Sequence, residues 1–172
     1  IKKNSSINNS NTEKIYIRKK IDEIADSCNE MLRLANISIP GDIDLEISHH
    51  YGIEKFDKFG LVLLTLVNRE YCKKLLICFP GQSHPEQHHK KKEETFCLLH
   101  GDLELTINDK KKSVSVGEVI TIEPFERHSF NSKNGAIIEE ISSTHYVEDS
   151  FYSDESINAN KNRKTILTDW LD

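Results

Sequence analysis

The chain has 172 residues and a formal net charge of −5. That length suggests one domain with a real core, and the acidic balance argues against nucleic acid or an anionic membrane as a partner. No apolar run approaches the ~20 residues needed to span a bilayer, and no signal-peptide pattern is present.

Residues 1–12 are rich in Asn, Ser and Lys and read as a linker or flexible arm, too poor in apolar surface to offset the entropy of ordering. Ser10 and Glu13 have capping-box spacing and predict a helix over 13–36. Ile17, Ile21, Ile24, Cys28, Met31 or Leu32, and Ala35 recur at three- and four-residue steps on one face of it. Pro40-Gly41 breaks the pattern. Beyond the break, short strands are expected at 61–67, 74–79, 95–99, 103–107, 112–116, 119–122, 128–131 and 136–142. Turn residues separate them, among them His100-Gly101-Asp102, Asn108-Asp109-Lys110 and Lys133-Asn134-Gly135. Many short, evenly spaced strands mean a sandwich or barrel, here over 37–153. The tail 154–172 is polar until Ile166, Leu167, Trp170 and Leu171, which would pack on the barrel or on a partner.

Cys28, Cys72, Cys78 and Cys97 show no CxxC pair or zinc-ribbon spacing. They read as free thiols in a reducing cytoplasm. A chain that opens at Ile1 without methionine reads as a processed product or a fragment of a longer protein.

The chemistry is concentrated in PGQSHPEQHHKKKEETFCLLHG, residues 80–101, and GEVITIEPFERH, residues 117–128. Five residues separate Gly81 from Gln87, one separates Gln87 from His89, four separate His89 from Glu94, and six separate Glu94 from Gly101. Fifteen residues then lead to Gly117, and His128 lies eleven positions after it. This spacing resembles the two motifs of the cupin superfamily. The resemblance implies an all-β, cupin-type antiparallel β-barrel (a double-stranded β-helix) preceded by one amphipathic helix. It also implies a metal held inside by His, His, Glu and His, a pattern that falls on Gln87, His89, Glu94 and His128. Gln87 stands where the family usually has its first histidine.

Alternate side chains of a strand share a face, so Gln87 and His89 point one way and His88 the other. Two imidazoles and a carboxylate suit a divalent metal ion: Zn, Mn, Fe, Co or Ni. A neutral amide is a poorer ligand than imidazole. Three arrangements are therefore open: Gln87 ligates through its oxygen, His84 substitutes for it, or the metal is weak or absent. Glu139, Glu140, Ser142 and His145 lie on or just after the last expected barrel strand, with Glu140 and Ser142 on one face and Glu139 on the other, and an inward glutamate beside a metal is a candidate general base. One lysine of the Lys90–Lys92 run is a candidate for facing an anionic group on a ligand.

Three segments carry a narrower resemblance: YGIEKFDKFGLVLLTLVN, YCKKLLICFPGQSHPEQHHKKKEETF and EEISSTHYVEDSFY. They are similar to the cupin domains fused to N-acetylneuraminate (sialic acid) synthase-like proteins and, more distantly, to the D-lyxose isomerase family. The resemblance implies a small sugar or sugar acid as ligand. It implies either metal-dependent aldose–ketose isomerisation or a sugar-binding module serving acidic-sugar biosynthesis. A dioxygenase-type cupin would use the same residues with Fe²⁺, but nothing in the sequence is specific for it. Open sheet edges and the late apolar cluster suggest a homodimer.

Overall fold

The computed structural model describes residues 4–171. The described residues divide into two compact units, one up to residue 38 and one from residue 39 onward. The first unit is the helix α1, Asn4–Leu34. It begins well before the expected start, so Ser10 lies inside it rather than capping it, and the part of the expected arm from Asn4 onward is helical. The segment contains neither Gly nor Pro to stop the backbone. Residues 1–3 of that arm lie outside the described residues. At the other end Asn36 adopts φ 55°, and the Ile37 N–H donates to the Leu32 carbonyl at 2.9 Å. This is a left-handed cap that satisfies the last carbonyls. No helix among the described residues is long and apolar enough to cross a membrane.

The second unit is built from antiparallel strands. These are β1 (Leu45–Ser48), β2 (Leu61–Asn68), β3 (Tyr71–Cys78), β4 (Ser83–His88), β5 (Glu94–Gly101), β6 (Leu103–Ile107), β7 (Lys110–Val114), β8 (Val119–Ile122), β9 (His128–Asn131), β10 (Ala136–Ser143), β11 (Phe151–Tyr152) and β12 (Lys164–Leu167). Between β1 and β2 lie a 3₁₀ turn, Ile53–Lys55, and the short helix α2, Phe56–Phe59. The short helix α3, Glu155–Ala159, precedes β12. A seven-stranded sheet runs β12-β1-β2-β3-β10-β5-β8, and a five-stranded sheet runs β11-β4-β9-β6-β7. The inward residues of both sheets make one core: Leu76 and Leu98 with Ile138 from the larger, Leu103, Leu105 and Phe130 from the smaller.

The strand patterns of the sequence reappear within a few residues of their expected ends. Asn108 and Asp109, both at positive φ, make the two-residue turn that joins β6 to β7. Gly101 sits at φ 88°, and a Cβ there would meet the Gly135 carbonyl oxygen at 1.9 Å. Glycine is therefore required where the end of β5 meets the turn into β10.

Four strands lie outside the expected set: β1, β4, β11 and β12. β4 is polar and contains Pro85, and its register with β9 shifts between His84 and Gln87. The missing N–H of Pro85 falls at that irregularity, where no ladder bond is lost. β1 and β12 are four residues each and pair with one another, so the tail joins the sheet as an edge strand.

Candidate metal centre and its cavity

Three strand ends meet at the candidate site. His89 immediately follows β4, His128 opens β9, and Glu94 opens β5 on the opposite sheet. All three are buried, and one ligand atom from each lies within 4.8 Å of the other two. His89 Nε2 is 3.3 Å from Glu94 Oε1, and His128 Nε2 is 3.2 Å from Glu94 Oε2. Neither contact has hydrogen-bond alignment. Both Nε2 atoms and Glu94 Oε2 are buried without a hydrogen-bond partner among the described residues. Such orphaned acceptors are costly unless something sits between them.

The tautomers point the same way. His89 Nδ1 donates to the Asp149 carbonyl, and His128 Nδ1 donates to the Glu126 carbonyl at 3.1 Å. A carbonyl can only accept, so each Nδ1 carries a proton, and in the neutral ring each Nε2 keeps a free lone pair. This is the form in which imidazole binds a metal, held by an outer contact. The donor set, two imidazoles and a carboxylate, therefore fits a divalent ion.

Gln87 pairs in register with His128 across β4 and β9, which puts the two side chains on one face of the sheet, and it lines the same cavity. His84 also lines the cavity but lies outside the three-residue cluster. Its ring stacks on Phe130 at 4.7 Å between centroids and meets His50 edge-on at 4.9 Å. Burial holds its imidazole well below its ordinary pKa, so it is neutral.

The neighbouring wall comes from β10 and the turn after His89. Glu140 is buried and lines the cavity, whereas Glu139, one residue earlier, points to the outer face and pairs with Lys73 at 2.8 Å. The period of two decides between them, and it removes Glu139 from the cavity. His145 lines the cavity, its pKa lowered to about 3 by burial and then by Lys74 and Lys92.

Of the lysine run, Lys92 is buried, and its ammonium bridges Glu94 and Glu140, the latter at 3.0 Å. Burial works against its charge, but the two carboxylates outweigh burial and raise its pKa. Burial likewise works against the Glu94 charge, yet the Lys92 ammonium beside it holds its carboxyl well below the usual carboxylate range. Lys90 and Lys91 instead face rings, at 4.2 Å from the Phe151 centroid and 5.1 Å from that of Tyr146.

Sequence reasoning missed three of the four remaining contributors, Asp149, Lys74 and Arg163, and named the fourth, Ser142. The Asp149 carboxylate accepts from the backbone N–H groups of Lys90 at 3.0 Å, Lys91 at 3.1 Å and Lys92 at 3.0 Å, and so fixes the turn between His89 and Glu94. Ser142 donates to Glu140 Oε1 at 3.0 Å. Lys74, from the middle of β3, and Arg163, just before β12, complete the far wall. Only Ser142 was legible, from its alternation with Glu140; the others come from segments far away in sequence.

These features define a cupin. The cupin domain family matches residues 76–138, which hold all four motif positions. A D-lyxose/D-mannose isomerase of Thermosediminibacter oceani is 30% identical, over 81% of this chain and 94% of that relative. A D-lyxose ketol-isomerase of Cohnella laeviribosi is 28% identical, over 78% and 91%. The chain belongs to the D-lyxose isomerase family. Among solved structures, the L-ribose isomerase of Geodermatophilus obscurus superposes with a TM-score of 0.71 over 85% of this chain and 96% of that one, at 13% identity. The Cellulomonas parahominis L-ribose isomerase with L-ribose gives 0.69 over 83% and 94%, also at 13% identity. These structures share the fold.

Proposed function

We propose that this chain is a metal-dependent aldose–ketose isomerase acting on a small sugar. The observation that carries the reading is the convergence of His89 Nε2, Glu94 and His128 Nε2 with both Nδ1 atoms locked on carbonyls. His89, Glu94 and His128 would hold the ion, with Gln87 beside them as a weaker fourth donor. A bound divalent ion would polarise the sugar's carbonyl and neighbouring hydroxyl, lowering the cost of negative charge on them.

Glu140 is placed to be the base. Its contacts with Lys92 and Ser142 both fall on Oε1, which leaves Oε2 for the substrate. In the open-chain aldose it takes the proton from C2, leaving an enediolate, and, once its carboxyl proton has exchanged with solvent, returns a proton to C1. The O2 proton is lost as the C2 carbonyl forms, and O1 gains one, so aldose and ketose are isomers with no external oxidant. The Lys92 ammonium, fixed between Glu94 and Glu140, supplies a hydrogen-bond donor and positive charge beside the developing oxyanion. His145 stays neutral and forms cavity wall.

The test is a screen of pentoses and hexoses with Mn²⁺-, Co²⁺- or Zn²⁺-loaded protein, read by NMR in D₂O. Isomer formation with solvent deuterium at the exchanging carbon is expected, and it is expected to vanish in His128→Ala together with bound metal. No interconversion with any sugar at full metal occupancy would overturn the reading. A second reading, a non-catalytic sugar-binding module, is favoured by Gln87 alone, since a neutral amide weakens the ligand set; calorimetry would then find sugar binding without turnover.

A further inference from the structure

The cavity has more positive charge than the residues around it neutralise. Four cationic side chains line the cavity against three carboxylates. Two of the cations have clear partners: Lys92 bridges Glu94 and Glu140, and Lys164 pairs with Glu46 at 2.6 Å. The other two do not. Lys74 is 3% exposed, yet among the described residues its ammonium makes no hydrogen bond or ion pair; Glu140 acts on it only at longer range. Arg163 lies 5.1 Å from the Tyr152 ring centroid and, among the described residues, has no carboxylate within ion-pair distance. A divalent ion at His89, Glu94 and His128 would make the cavity more positive still.

A buried, unpaired ammonium is expensive. Arg163 is half-buried and, apart from the Tyr152 ring, is also without a counter-charge among the described residues. A neutral aldose brings no charge to offset these two cations; an anionic group does, through charge-assisted hydrogen bonds and a fork that matches guanidinium. Lys74 is on β3, one strand beyond Glu140 in register, and Arg163 enters from the segment before β12. Both are on different strands from the metal ligands. If C1 and C2 of a sugar sit at the metal and Glu140, the anionic group belongs at the other end of the molecule.

We infer that Lys74 and Arg163 form an anion subsite, and that the sugar this cavity selects carries a negative group at the end remote from its carbonyl. The inference rests on the sugar-isomerase reading for the placement of C1 and C2. Two sources share this chemistry, a uronic acid with its terminal carboxylate and an aldose phosphorylated on its last carbon.

Calorimetry on Mn²⁺-loaded protein tests it with matched pairs: D-galacturonate against D-galactose, and D-arabinose 5-phosphate against D-arabinose. At least one anionic member is expected to bind about tenfold tighter than its neutral partner, with the difference shrinking as salt is raised. Which pair shows it separates carboxylate from phosphate. Lys74→Met and Arg163→Gln are each expected to bring the affinity ratio towards one. Either variant suffices if the other does not fold, and the wild-type comparison needs neither. Equal affinities within both pairs would overturn the subsite. A tight anionic ligand that is never isomerised would leave the subsite standing and remove the isomerase reading. Isomerisation of neutral sugars with no anionic preference would do the reverse.

Discussion

Asp149→Asn isolates the turn between two candidate metal ligands. The carboxylate is 4% exposed and accepts three consecutive backbone N–H groups, with Lys90 on Oδ1, Lys92 on Oδ2 and Lys91 shared between them. Asparagine keeps one acceptor oxygen and turns the other position into an NH₂ facing an N–H. At least one buried donor then loses a charge-assisted bond, at a cost of about 1.5–3 kcal/mol. For a chain of this size that corresponds to a fall in Tm of about 3–12 °C. The Asp149 main-chain carbonyl still accepts from His89, so the tautomer of that ligand is preserved. Any loss of metal affinity must therefore arise from movement of the Lys90–Lys92 turn and of Glu94 beyond it. A weakening of about tenfold is expected, at the lower end of outer-contact effects. Urea titration of the metal-free variant and calorimetry with Mn²⁺ measure the two quantities. An unchanged unfolding midpoint together with unchanged affinity would refute the assignment of Asp149 as the clamp of this turn.

Gln87→His places an imidazole beside His128 on the same sheet face and is expected to tighten metal binding by at least about tenfold, read by competition with a chelator. Glu140→Gln should leave metal affinity within a few-fold while lowering isomerisation by about 10²–10⁴, and a variant as fast as wild type would remove Glu140 as the base. Asp102 accepts from the Lys133 and Asn134 backbone N–H groups at 2.9 Å each, and although burial opposes it, these bonds hold its carboxyl below the ordinary 3.8. Its stabilisation is therefore full above pH ~3.8 and lost as pH falls through the lower folded value; urea midpoints of wild type and Asp102→Asn should differ at pH 7 and converge below that range. A homodimer in isolation is expected from the exposed apolar residues of the strand unit, among them Val116, Val119 and Phe125; light scattering at 19.8 kDa for all concentrations would refute it.

The expected strands at 61–67, 103–107, 119–122, 128–131 and 136–142 were legible because each alternates or runs apolar between strong turn residues. β4 is not among them, since a polar strand with a central proline carries no periodic signal; only the motif spacing places Gln87 and His89. Alternation along β10 separated two faces, but the sequence left open whether Glu139 or Glu140 faced inward; burial and the Lys73 pair decide it. Asp149, Lys74 and Arg163 carried no signal, because what matters in each is a neighbour some 57 to 66 residues away or a missing partner. The start of α1 was misread because a capping-box spacing identifies a possible cap without excluding a helix that runs through it.

The pairing of β1 with β12 has a consequence for the order of assembly. Ser48 meets Lys164, and Leu45 meets Leu167, across nearly the whole strand unit. Contacts of that sequence separation close the longest loops and form slowly, whereas the β6–β7 hairpin closes through a two-residue turn. The metal-ligand side of the cavity draws on β4, β5 and β9, all laid down earlier in the chain, while Arg163 and Lys164 arrive with the last strand. Refolding should thus proceed through a stage in which divalent-ion binding has recovered but the cationic wall has not. A metal-sensitive fluorescence signal would then return before protection of the Lys164–Leu167 amides against hydrogen exchange.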